Sequence, residues 1–271
     1  MTHLDVPGGS LYYETAGPRD APALLLIHAG IASLRMWDPQ IEALAVGHFV
    51  VRFDTRGFGL TATENVAFSN RADAVALLDH LGLASATLVG ASRGGGIAID
   101  LALDSPGRVA GLVTIGSGPS GHPEVPLTDR EEELFAALDA AYDQGGIEEV
   151  FRLEAELWDF GPLRTAADLD PAFVETAYAL NVANVGHLLE RPLPEGLEPP
   201  AYGRLGELAV PALVTVGDQD ISPAIAQHAY LAASIPGAEQ VVFAGAAHIP
   251  SVEKPEEFTA VLLDWLTRHA L

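Results

Sequence analysis

Short apolar runs alternate with amphipathic stretches along most of this chain. Ala23 to Ile27, Phe49 to Phe53, Ala86 to Val89 and Ala110 to Ile115 are compact, mostly aliphatic or aromatic runs of the kind that form strands buried on both faces. Between them, Asp38 to Ala45, Arg71 to Leu81 and Ser92 to Leu103 repeat their apolar residues at helical spacing. This alternation predicts a doubly wound, mostly parallel α/β sheet with helices on both faces.

After Ile115 the rhythm changes. Gly116-Ser117-Gly118-Pro119-Ser120-Gly121 reads as a loop, and the following block is helical. Thr128 with Glu131 makes a capping box, and Asp170-Pro171 supplies an N-cap followed by proline in the first turn. The block closes with a stiff proline-rich connector, Arg191 to Pro200. Strand and helix patterns then resume at Ala212 to Val216, Ser222 to Ala233, Gln240 to Phe243 and Pro255 to Arg268. The expected organisation is therefore a core made of residues 1–119 and 209–271, interrupted by a helical insertion at 120–208 that sits over the carboxyl edge of the sheet as a lid.

One junction carries chemistry. Gly90-Ala91-Ser92-Arg93-Gly94 places a serine between glycines where a strand turns sharply into a helix. Such a turn forces strained dihedrals on the serine, brings backbone close on either side and exposes the hydroxyl, so Gly90 and Gly94 are the residues it needs. A serine hydroxyl requires a base, itself oriented by a carboxylate. His248, in the small-residue loop Gly245-Ala246-Ala247-His248 after a strand, is the candidate base, whereas His80 and His228 fall inside helical patterns. Asp218 and Asp220 both end the preceding strand; one would orient the histidine and the other hold the loop, and spacing alone does not choose.

These features resemble the α/β-hydrolase-fold serine hydrolases that carry a helical cap. The family's Gly-x-x-Asp pattern matches Gly217 to Asp220 and selects Asp220; its oxyanion turn matches His28-Ala29-Gly30-Ile31, with Ala29 where glycine is usual; its Asp-x-Arg-Gly-x-Gly-x-Ser segment matches Asp54 to Thr61, with threonine in the last place. The resemblance implies nucleophilic attack by Ser92, proton transfer by His248, orientation by Asp220 and an oxyanion hole of the Gly30 and Arg93 N–H groups. It implies a small-molecule acyl substrate, foremost a small or medium carboxylic ester, with no cofactor and no metal. Lactone hydrolysis, C–C bond hydrolysis and cofactor-free perhydrolysis share the triad; a ligand-binding receptor of this fold is the reading from another class. Serine at position 92 argues against epoxide hydrolases and haloalkane dehalogenases, which use aspartate there.

Around the site, His28 is expected to fix its loop through backbone hydrogen bonds, Asp54 and Arg56 to form an ion pair, and Arg93 to pair with one of the many carboxylates, the alternative for Arg93 being a cation near the acyl pocket that selects a carboxylate-bearing substrate. Trp158 and Phe160 are candidates to line a pocket. Composition narrows the partners. With 14 basic against 37 acidic residues the net charge is -23, which repels nucleic acid and anionic membranes. There is no cysteine to serve as nucleophile, metal ligand or disulfide. No apolar run approaches membrane-spanning length and the N-terminus lacks a signal-like pattern, so a cytoplasmic protein is expected.

Overall fold

The computed structural model describes residues 2–271. It begins with an antiparallel hairpin, β1 (Thr2–Val6) and β2 (Gly9–Ala16), turned at Pro7-Gly8 with Gly8 at φ 73°. The sequence pattern starts the sheet at Ala23 and misses this hairpin, because Leu11, Tyr12 and Tyr13 are buried in succession and erase the two-residue period. Next come β3 (Ala23–Ile27), α1 (Asp38–Leu44), β4 (Phe49–Phe53), the two-residue strands β5 (Ala62–Thr63) and β6 (Ala67–Phe68), and α2 (Asn70–His80). β7 (Ala86–Ala91), α3 (Arg93–Asp104) and β8 (Val109–Ile115) complete the first half. A helical segment of α4 (Asp129–Gln144), α5 (Ile147–Glu154) and α6 (Pro171–Val182) precedes the short strand β9 (Leu193–Pro194). The chain ends with β10 (Ala212–Gly217), α7 (Ser222–Ser234), β11 (Glu239–Phe243), α8 (Pro250–Glu253) and α9 (Pro255–His269).

The main sheet has the order β1-β2-β4-β3-β7-β8-β10-β11, with β5 on β2. From β3 to β11 all pairings are parallel; the hairpin joins β4 antiparallel. Successive residues of β3 go to opposite layers: Leu25 and Ile27 pack with Leu77, Leu88 and Leu101, while Leu24 and Leu26 pack with Trp37, Phe258 and Trp265. Both faces are thus covered, which is why these strands read as continuous apolar runs. β4 lies on one side of β3 and β7 on the other, so the strand order reverses there. In open α/β sheets the crevice at such a reversal, beyond the carboxyl ends of the strands, is where ligands bind.

The helical segment is fastened to that edge. Thr128 and Glu131 form the expected capping box, and the Glu131 carboxylate also accepts the Ser222 N–H at 2.6 Å, tying α4 to the start of α7. Leu134, Leu138, Leu153 and Leu157 cluster with Ile221 and Ala224. The proline-rich connector is more ordered than expected: β9 pairs parallel with β6, through Leu193 N–H to the Val66 carbonyl at 3.1 Å and Glu195 N–H to the Phe68 carbonyl at 2.7 Å. α5 runs straight into a π-helical turn, Ala155–Asp159. Among the described residues no helix is long and apolar enough to cross a membrane.

Candidate active site

Ser92 leaves β7 with φ 51° and ψ −120°, a strained conformation for a residue with a side chain. The surrounding glycines explain how it is held. A Cβ at Gly90 would overlap the Gly94 carbonyl, and one at Gly94 would overlap the carbonyls of Ile27 and His28, so α3 can start only where both side chains are missing. The Ser92 N–H donates to the Ile115 carbonyl at 2.7 Å, locking the turn to β8.

Two further strand ends meet this turn. His248 is buried, with Nε2 2.7 Å from Ser92 Oγ and Nδ1 2.9 Å from each carboxylate oxygen of Asp220. Asp220 Oδ1 also accepts the Ile221 N–H at 2.8 Å. Asp218 is exposed and accepts the Gly245 N–H at 2.6 Å, so of the two carboxylates left open by spacing, Asp220 faces the imidazole and Asp218 holds the loop that carries it. Gly217 allows the approach, since a Cβ there would overlap the carbonyls of Ala246 and Ala247.

The opposite wall follows β3. His28 donates Nδ1–H to the Ala29 carbonyl at 2.7 Å, and its Nε2 accepts the Thr55 N–H at 3.0 Å. Burial pushes the ring down to about 3, so His28 stays neutral and fixes the loop bearing Gly30. Positions 30 and 93 are adjacent: a Cβ at Gly30 would stand 4.0 Å from that of Arg93. Among the described residues no protein acceptor takes up either N–H.

Three expectations need correction. Asp54 and Arg56 do not pair. Asp54 accepts the N–H groups of Leu34 and Leu60, at 2.7 and 2.8 Å, while Arg56 makes a buried two-pronged bridge to Asp73 at 2.7 and 2.8 Å. The reason is direction: the tight turn at Gly57 and Gly59 brings the Leu60 N–H over Asp54, the segment after β3 brings the Leu34 N–H, and Arg56 is sent toward α2. Arg93 meets no carboxylate among the described residues. It donates to Thr55 Oγ1 at 2.7 Å and Asn70 Oδ1 at 3.3 Å and lies over the Phe58 ring, 4.8 Å from its centre. Phe160 does not line a pocket; it is fully buried and meets Tyr178 edge-on.

Trp158 does reach the site. Its ring lies 4.8 Å from the His248 ring, and its carbonyl accepts the His248 N–H at 3.3 Å. With Ile221, Pro223 and Gln227 it lines a hollow of about 280 Å³ over Ser92 and His248. The sequence pattern does not point to the last three, although Ile221 and Pro223 closely follow Asp220. Nor does it point to Arg164 and Glu253: they pair at 2.6 Å, and Glu253 accepts the Ala247 N–H at 2.8 Å, bracing the His248 loop from outside.

Comparison with known proteins agrees with this architecture. A sequence model of the alpha/beta hydrolase fold matches residues 22–255. A protein of Variovorax paradoxus (strain S110), whose name is that of a putative carbamate hydrolase, RutD, is 31% identical over 267 residues, covering 95% of this chain and 96% of its own. The enol-lactonase from Burkholderia xenovorans LB400 superposes with a TM-score of 0.73 at 26% identity, over 98% of this chain and all of that one. Carboxylesterase CesB (YbfK) from Bacillus subtilis does so with a TM-score of 0.72 at 25% identity, over 98% and 90%.

Proposed function

Since the chain belongs to the alpha/beta hydrolase fold family and is a hydrolase, we propose that it cleaves a small or medium carboxylic ester through an acyl-enzyme formed on Ser92. The observation that carries this reading is the unbroken chain from Ser92 Oγ to His248 Nε2 at 2.7 Å and from His248 Nδ1 to Asp220 at 2.9 Å. His248 takes the hydroxyl proton as Ser92 attacks the ester carbonyl. Asp220 keeps the Nδ1 proton in place and stabilises the imidazolium that forms. The Gly30 and Arg93 N–H groups hold the oxyanion of the tetrahedral intermediate. His248 then gives its proton to the departing alcohol, and water, activated by the same ring, releases the acid.

The hollow of about 280 Å³ lies near the lower bound of ligand pockets, which favours a short acyl group. Residues 120–208 act as the cap, with Trp158 lowering a hydrophobic ring onto His248 and shielding the reacting atoms from water. The likenesses to an enol-lactonase and a carboxylesterase support an ester oxygen as the leaving atom, a lactone being a cyclic ester.

The wild-type protein is expected to turn over p-nitrophenyl acetate and to lose that activity on phosphonylation of Ser92. Ser92→Ala should lower kcat by on the order of a millionfold with an unchanged circular dichroism spectrum. A residual rate within about tenfold of wild type would overturn the assignment.

A further inference from the structure

Arg93 is the one half-buried arginine among the described residues that meets no carboxylate. Arg52 and Arg56 are more deeply buried and both carry acidic partners; Arg19 and Arg191 lack such partners but are exposed. A cation removed from water costs free energy that an amide oxygen, a hydroxyl and an aromatic face recover only in part. Scarcity of acids is not the cause, with 37 aspartates and glutamates in the chain. Instead the groups that meet this guanidinium are neutral: Thr55, Phe58 and Asn70. Burial pulls the guanidinium's pKa down to about 10.

The placement beside the nucleophile gives the charge a use. Arg93 is bonded to Ser92 and opens α3, whose N-terminal dipole adds positive potential at the same point. Its stem runs beside Gly30, with Cδ 3.9 Å from where a side chain at that position would begin. Arg93 is also among the residues that line the hollow over Ser92 and His248.

We propose that Arg93 is the subsite for an anionic group of the substrate, and that the ester cleaved at Ser92 carries a carboxylate a few methylene groups from its reacting carbonyl. The guanidinium fork presents parallel N–H donors that match a carboxylate, and the neutral shell leaves its charge for the ligand. On a molecule of net charge -23, whose surface repels anions, one local cation is what lets an anionic substrate settle in the cleft. This inference rests on the ester hydrolysis proposed above.

The test compares kcat/KM for mono-p-nitrophenyl succinate with that for p-nitrophenyl butyrate, esters of equal acyl length that differ in the carboxylate. The wild type should favour the succinate. In Arg93→Met the succinate-to-butyrate ratio should fall by about tenfold or more, and Arg93→Lys should retain part of it. Asn70→Asp supplies an internal counter-ion without touching position 93 and should lower the same ratio. A ratio unmoved in both Arg93→Met and Asn70→Asp, or equal losses on the two esters, overturns the inference while leaving ester hydrolysis intact. Failure of the wild type to turn over either ester overturns both.

Discussion

Asp220 and Asp159 are both buried carboxyls near the His248 loop, one delivered by a strand end of the sheet, the other by the π turn of the helical segment. Asp220 is fully engaged, by His248 and by the Ile221 N–H. Among the described residues Asp159 has no hydrogen-bond partner on either oxygen. The wall contributed by the sheet is built from close backbone approach and satisfied polar groups, while the wall contributed by the helical segment buries an unpartnered acid next to the tryptophan that covers His248. A buried acid without a partner costs stability, and departures of this kind concentrate at sites.

The largest expected effect sharpens the contrast within the sheet's own wall. Asp220→Asn should lower kcat by about 10⁴, because an amide stabilises the wrong imidazole tautomer, whereas Asp218→Asn should change it little. Steady-state kinetics of the pair decides; greater damage from Asp218→Asn would transfer the orienting role to that residue. Next in size is a test of the backbone approach. Gly94→Ala should cost about 3 kcal/mol or more in urea denaturation, since its methyl would meet the carbonyls at the end of β3, which cannot swing aside. Gly96→Ala, two residues along the same helix, meets nothing nearer than the Gly118 carbonyl at 3.5 Å and should stabilise by up to about 1 kcal/mol through helix propensity. Equal effects at the two positions would mean that the crowding at Gly94 is not what fixes the turn.

This division also marks what can be read from the chain. Strands buried on both faces leave continuous apolar runs, so β3, β4, β7, β8 and β10 are visible within one or two residues of their ends, and the two glycines flanking Ser92 make its turn legible. Asp220 is separable from Asp218 only through a family pattern, because two carboxylates in one short loop have no period that distinguishes their directions. The π turn is invisible: an extra residue in one helical turn leaves no repeat in the sequence. The β6–β9 pair joins distant segments through two residues each, too few to show alternation. Arg93's neutral shell is assembled from the segment after β4 and the start of α2, so its lack of a counter-ion, contrary to the expected ion pair, emerges only in three dimensions.

The last expected effect concerns Asp159 and tests the other wall. Burial, and then the carboxylates of Glu253 and Glu154, raise its carboxyl well above the usual range, so the folded chain holds this proton to higher pH than the unfolded chain does; the charge of Glu253 is itself offset by Arg164. In the unfolded chain the same group ionises near its ordinary value of about 4. Between those two pKa values the folded state binds the extra proton, so stability is intact below about pH 4 and declines as pH rises towards the folded-state pKa. An amide at this position keeps the shape of the side chain and loses the titration. Asp159→Asn should therefore match the wild type in thermal denaturation near pH 4 and exceed it in stability at higher pH, the gap growing until the folded-state pKa is passed. A gap that does not change with pH would show Asp159 to be ionised in the folded protein, and one that widens towards acid would show it to be held by a cation, either of which would make the two walls alike.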